Sequence, residues 1–436
     1  MDFARPLVNE TLTSTRAIRS EREYRRCFRL LVEVWLPYGS SEIPVRVPEE
    51  RLIDIFRTQT PKPLDTLNEA RKLIGANESF QIIAKQAKQP CIAVGQCSNG
   101  PLAIDLIKTL LENLGAQRPA LKILRTQSAV ELKPGTLSET SVSDHNPKLS
   151  PTLPLENFSG KFSPQLNSDF LNADLRIVVG ELKPNHFLLY TGICDIVFPG
   201  LASESSLRSH LANRPGFSAA HLRKERDEIT DKVNNTYALG VVLDSGKEAA
   251  HVAFGNVREA LSTLQVALNA TLTRDIPKLA DIVVLSAGGT PDDESLLQAI
   301  ETFPIGIGAL KRNGALIIAA ECGKGHGDTE FYDWTVERKQ AHHLEARLRH
   351  NFNYNGFKAA YLSRALDSHR IYLVSTIPDY YVENVFGMRA SRTVNAALQT
   401  AQRALGAESK ISVIPDATRL IPKQQPPLAP TSSDVS

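Results

Sequence analysis

The chain has 436 residues, 42% of them apolar and 22% charged, with 50 Lys and Arg against 48 Asp and Glu and a formal net charge of +2. This length exceeds one ordinary core and points to two units, while the near balance of charge gives no electrostatic reason to expect nucleic acid or an anionic membrane as partner. The five cysteines, Cys27, Cys91, Cys97, Cys194 and Cys322, form no CxxC pair and no apolar run nears the roughly 20 residues that span a bilayer, so the reading is a cytoplasmic protein with reduced thiols.

In chain order, residues 1–28 read as a solvated extension. Arg5, Arg16, Arg19, Arg22, Arg25 and Arg26 alternate there with Asp2, Glu10, Glu21 and Glu23, and those acids argue against a transit peptide. A strand is expected over Leu30–Trp35, closed by the turn residues Pro37, Tyr38 and Gly39. Cys91 to Gly95 is a short buried strand, followed by a polar loop from Gln96 to Gly100 and then a helix with Pro101 in its first turn. That helix carries Leu102, Leu106, Ile107, Leu110, Leu111 and Leu114 at helical period, and Gly115 suits its C-terminal cap. Strand, loop and helix in this order make the repeating unit of a parallel α/β sheet.

Residues 126–168 are rich in Pro, Ser, Thr and Asn and read as an irregular insertion. A helical stretch near 255–275 closes a first unit at about residue 270. In the second unit, Asp281–Ser286 is a continuous apolar run, as in a strand covered on both faces. Thr290 is the expected cap of the following helix, with Pro291, Asp292, Asp293 and Glu294 in its first turn. Ala315–Ala320, Arg370–Ser375 and Lys410–Ile414 are further buried strands, and Lys423–Ser436 reads as a disordered tail. Ligands in such sheets sit at the carboxyl ends of strands and between units, so the loops of interest are 96–100, 180–200, 287–291 and 321–334.

The residues alone leave several chemistries open. Ser98, in a small polar loop before a helix N-terminus, suits a phosphate cradle or a plain connection. Gly288 and Gly289 are a weak signal, and the acids after them read as serving helix stability. His186 follows a buried strand and can act as a base, a ligand or a packed histidine; His210, on a helix, has the same options. Cys322 and His326 lie in a glycine-rich loop with no second pair to complete a zinc site. His342 and His343 read as solvent-facing.

Several blocks, in order over about residues 29–420, are similar to nickel-dependent lactate racemases of the LarA type. They include Leu36-Pro37-Tyr38-Gly39, Ala173-Asp174-Leu175, Phe198-Pro199-Gly200 and Ala280-Asp281. Ser286-Ala287-Gly288-Gly289, Gln298-Ala299, Gly325-His326-Gly327-Asp328 and Val413-Ile414-Pro415-Asp416 complete the set. The resemblance implies an α/β protein of two Rossmann-like domains with mostly parallel sheets and an interdomain cleft: residues 29–270, then 271–422. It implies racemisation or epimerisation of a small 2-hydroxy acid by hydride transfer to a nickel-pincer nucleotide, a non-catalytic nucleotide- or organic-acid-binding homologue being the alternative. His186 falls at an acid–base position and His210 at the nickel-ligand position; Ser98, Gly288, Gly289, Gln298 and Phe357 fall at cofactor-binding positions.

The chain also departs from the pattern. Asn99 stands in the loop where the family has an arginine, Glu301 where it has the substrate lysine, and Ile193-Cys194-Asp195-Ile196 where a lysine anchors the cofactor. The expectation is therefore a divergent member with altered or lost activity.

Overall fold

The computed structural model describes residues 30–423, except 59–63, 115–120, 128, 133–136, 138–139, 157, 159, 161, 212–218, 337–340 and 351. The extension at 1–28, the tail beyond Lys423 and the cap at Gly115 lie outside the described residues.

The strands in chain order are β1 (Leu31–Tyr38), β2 (Ser41–Pro48), β3 (Leu52–Ile55), β4 (Pro90–Val94), β5 (Lys122–Arg125) and β6 (Ser141–Asp144). They continue as β7 (Thr152–Pro154), β8 (Gln165–Asn167), β9 (Leu175–Asn185), β10 (Leu189–Gly192), β11 (Thr236–Leu243), β12 (Ala249–Asn256) and β13 (Thr273–Arg274). The last are β14 (Ala280–Ser286), β15 (Leu310–Ala319), β16 (Arg370–Val374), β17 (Arg389–Ala390), β18 (Ile411–Ile414) and β19 (Ile421–Pro422). Two large sheets result. The first has the order β12-β11-β9-β4-β5-β6, parallel except for β12, with β10 folded back antiparallel on β9. The second has the order β17-β16-β15-β14-β18-β3 and is parallel throughout.

Each sheet is covered on both faces, which is why its strands read as unbroken apolar runs. In the first, Ile92, Ile177 and Val179 meet the Ala103, Leu106, Ile107 and Leu110 stripe of the helix at Gly100–Leu114. Asn99 starts that helix, its Oδ1 accepting from the Leu102 amide at 3.1 Å. The opposite face packs Ala93, Val178 and Val242 on Leu264 and Leu268 of the helix at Val257–Leu272.

Three expectations change. The first unit was expected to begin at residue 29, but β1–β3 pack on the second sheet. Alternate residues Val34, Leu36, Val45 and Val47 bury against Ile282, Val284 and Ile317, and β3 pairs with β18. Alternation shows that a strand has one buried face; it does not show which sheet covers it. The stretch 126–168 is also not wholly irregular: β6 extends the first sheet, and β7 pairs with β8. Finally, Thr290 caps no helix. Thr290-Pro291 is a cis peptide, and the helix at Leu296–Ala299 starts on Ser295, whose side chain accepts from the Gln298 amide.

That third change frees the acids. Asp293 Oδ2 accepts from the Gly39 amide at 2.7 Å and the Glu321 amide at 2.9 Å, tying the β1–β2 turn to the second sheet. Gly288 and Gly289, at φ +92° and +65°, complete this junction. A Cβ on Gly289 would lie 2.9 Å from the Gly39 carbonyl oxygen, and one on Gly288 2.7 Å from Thr418 Oγ1.

Candidate functional site: a cleft between two switch points

In both sheets the strand order reverses direction once. From β4 the chain runs outward to β5 and β6, whereas β9 lies on the other side and leads to β11. From β14 it runs to β15, β16 and β17, whereas β18 lies on the other side. Loops leaving the carboxyl ends of such strand pairs diverge and open a crevice between them. The two crevices share one cavity of about 150 Å³, lined by Gln96, Lys183, Pro184, Asn185, His186 and Thr191 from the first sheet's side. Asp292, Gln298, Glu301, Thr302 and Thr418 line it from the second.

The β9–β10 hairpin carries the first sheet's contribution. The strand was expected to end near Gly180 but runs on to Asn185, so His186 sits at a hairpin tip. Next to it, Phe187 is fully buried in the second sheet's core, edge-on to Phe357 at 5.4 Å and Tyr361 at 5.1 Å. This peg fixes the tip across the cleft. Phe357 thus supports Phe187 and does not line the cavity.

His186 Nε2 lies 2.8 Å from the Ala417 carbonyl oxygen. A carbonyl only accepts, so Nε2 carries the proton and Nδ1 keeps its lone pair. Burial pushes the imidazole's pKa down, opposed by the Ala417 bond and by Glu301 and Asp416. The ring is therefore a neutral acceptor at neutral pH. A depressed folded-state value gives stability that is present above the unfolded value of about 6.5 and is lost as pH falls through the folded one. Proton NMR should show the His186 ring titrating below the unfolded value of about 6.5; a midpoint at or above it contradicts the assignment.

Charged groups are paired throughout the cleft. Lys183 bonds Asp292 Oδ1, and Ser98 Oγ and Gln96 Nε2 reach the same carboxylate at 3.3 and 3.2 Å. Arg419, fully buried, reaches Glu181 at 2.8 Å, Asp416 at 3.2 Å and Asp292 at 3.6 Å. The Ser98 amide donates to Glu181 at 2.8 Å. Burial alone would raise Asp292, but Lys183 and Arg419 hold its pKa below the usual carboxylate range. Burial would lower Lys183, but Asp292 and Glu181 hold it above the usual lysine value. Lys358 reaches Glu301 at 2.6 Å, and the Asn185 amide donates to the other Glu301 oxygen at 2.9 Å.

Of the residues singled out by sequence, the structure brings His186 and Gln298 into the cavity wall, and Ser98 beside it through Asp292. Gln298 is fastened, with Oε1 accepting from Ser295 at 2.8 Å and Nε2 donating to the Pro291 carbonyl at 3.2 Å. Gly288 and Gly289 build the neighbouring junction. His210 lies apart from the cavity wall, on the helix at Glu204–Leu211, edge-on to Phe198 at 4.9 Å and bonded through Nδ1 to Glu225. Among the described residues, no group of three or more His, Cys, Asp or Glu is arranged to hold a metal ion. None of their helices is long and apolar enough to cross a membrane. Sequence reasoning missed Lys183, Asp292 and Arg419, the charged centre of the site.

This arrangement defines a doubly wound α/β protein with a polar cleft between two facing switch points. Comparison with known proteins agrees. Residues 276–421 match the family model of the lactate racemase C-terminal domain. The chain is 26% identical to the lactate racemase of Thermoanaerobacterium thermosaccharolyticum over 91% of its own length and 100% of that protein. It is 24% identical to that of Lactiplantibacillus plantarum over 59% of its own length and 64% of that protein. The solved structure of the Thermoanaerobacterium thermosaccharolyticum lactate racemase apoprotein shares the fold, with a TM-score of 0.77 and 23% identity over 90% of this chain and 100% of that one. Residues 276–421 are thus identified as a lactate racemase C-terminal domain, and the chain as a whole is similar to lactate racemases.

Proposed function

We propose that this chain is a lactate racemase family member that binds a small polar molecule in the cleft and does not racemise 2-hydroxy acids through the family's nickel-pincer nucleotide. One observation carries the reading: Asp292 and Glu301 occupy the cations that would otherwise receive an anionic substrate. Asp292 holds Lys183 and Arg419, and Glu301 holds Lys358. A charge-assisted bond contributes roughly 1.5–3 kcal/mol, and an incoming carboxylate would meet cations whose charge Asp292 and Glu301 already balance.

The residues present do not fit the nickel group. At the position where the family's lysine would hold it, Ile193 and Cys194 are buried in a short turn. Cys194 Sγ accepts from Arg226 at 3.2 Å, and burial pushes the thiol well above its usual range. Neither atom can form the lysine thioamide. His210, at the metal-ligand position, is not among the residues lining the cavity. No step through nickel is therefore derived. What the chain itself supplies is an acceptor, His186 Nδ1, able to take a hydrogen bond from a ligand hydroxyl and to hold its proton.

Lactate incubated with the purified protein and the complete cofactor should stay enantiomerically pure by chiral chromatography. The natively purified protein should contain no stoichiometric nickel, and its intact mass should equal that of the polypeptide alone. Turnover of one enantiomer into the other, or an adduct of a few hundred daltons, refutes the reading.

A further inference from the structure

Charge and hydrogen bonding across the cleft indicate what the cavity accepts. Around it, Glu181, Asp292, Glu301 and Asp416 are four carboxylates facing three cations, Lys183, Lys358 and Arg419. His186 adds no positive charge at neutral pH, because burial keeps it neutral. Asp293, fully buried beside Asp292 in sequence, pairs with no cation among the described residues, and its Oδ1 has no hydrogen-bond partner among them. Lys247, which is half-buried, also acts on Asp292 and donates to the Thr290 carbonyl at 2.8 Å. Water screens it there far more than the buried groups. The buried set is thus short of positive charge.

The uncharged lining offers donors and acceptors, and part of its donor capacity is spent within the chain. Thr191 donates to Asp195, Thr302 to the Ala299 carbonyl and Thr418 to Asp416. The amides of Gln96, Asn185 and Gln298 donate to Asp292, Glu301 and the Pro291 carbonyl. His186 Nε2 donates to Ala417. The acceptors that remain are His186 Nδ1, the hydroxyl oxygens, and the free lone pairs of Asp292 and Glu301. On the donor side, the printed bonds use one of the two side-chain N–H groups of Gln96, Asn185 and Gln298, and Lys183 has one ammonium hydrogen on Asp292 and the others available.

Resting on the reading of the cleft given above, we propose that its ligand class is a small organic cation bearing a hydroxyl, an amino alcohol, in place of a hydroxy acid. The ammonium group would sit among Glu301, Asp292 and His186 Nδ1, and the hydroxyl would accept from Lys183. A carboxylate of the same size would meet the same acceptors with like charge.

Isopropanolamine and lactate make a matched pair of probes. They share a hydroxyl and a methyl group on the same carbon and differ in carrying an ammonium or a carboxylate. Isothermal titration calorimetry at neutral pH should give isopropanolamine an affinity at least tenfold higher than lactate. Its addition should move the His186 ring resonances. Glu301→Gln, which brings the four-to-three count level, should weaken isopropanolamine at least fivefold. The wild-type comparison stands even if that variant folds poorly. Lactate binding as tightly as isopropanolamine, absence of isopropanolamine binding at tens of millimolar, or binding that leaves His186 unmoved would each overturn the inference. Lactate turnover would instead refute the preceding proposal, so the two fail separately.

Discussion

Replacing Arg419 with Met should cost about 3–5 kcal/mol of stability, the range for removing one partner of a buried ion pair. The guanidinium is fully buried and serves Glu181, Asp416 and, at longer range, Asp292. Met fills similar volume, so the loss is electrostatic more than steric: buried carboxylates are left facing one another. With a urea dependence of about 3 kcal/mol per molar, the denaturation midpoint should fall by roughly 1–1.7 M. The pH dependence separates charge from packing. Asp292 is held below the usual carboxylate range in the fold. Its contribution is therefore present above the unfolded value of about 3.9 and is lost as pH falls through the folded one. In the variant these carboxylates can protonate at higher pH, so the gap between wild type and variant should narrow as pH falls from 7 toward 4. A midpoint shift under about 0.3 M, or a gap independent of pH, would show that the guanidinium does not hold the cleft together.

Elements that depend on short-range pattern were legible in the sequence; partnerships across the fold were not. The runs at 91–95, 281–286, 315–320, 370–375 and 410–414 are strands because β-branched and other apolar residues fill both faces. The helix at Gly100–Leu114 follows from its stripe and its Asn99 cap. By contrast, Asp292 read locally as a first-turn helix acid. Its meaning lies with Lys183, 109 residues away, just as Glu181 depends on Arg419, 238 residues away. No local periodicity carries such a pairing. A usable signal did exist, since Asp292, Lys183 and Arg419 each follow the carboxyl half of a parallel strand, where ligand-facing residues gather. Among the histidines, the hairpin tip sets His186 apart. Nothing near His210 in sequence announces Glu225, which holds it from the next helix.

The hairpin that carries His186 also depends on one glycine, and Gly192→Ala should test it. Gly192 closes β10 opposite Leu182, with φ +103° and ψ −118°, a conformation open to glycine and strained for any L side chain. A Cβ there would overlap the carbonyl oxygen of Glu181, which is backbone and cannot swing aside. Strain of about 1–3 kcal/mol and overpacking of a similar size add to an expected loss near 3 kcal/mol or more. Relief requires moving Glu181 and hence the partner of Arg419, so the variant should also lose protection in amide exchange around the Ala417–Arg419 turn. Gly75→Ala supplies the contrast. Gly75 lies in the helix at Thr66–Ala76, and nothing stands within 4 Å of where its Cβ would go. There the substitution should be neutral or stabilise by up to about 1 kcal/mol through helix propensity. The same change at two glycines should therefore shift the urea midpoint in opposite directions or leave Gly75→Ala unmoved. Equal losses at both sites would mean that the hairpin's turn, and with it the seat of Glu181 and His186, is not held by Gly192.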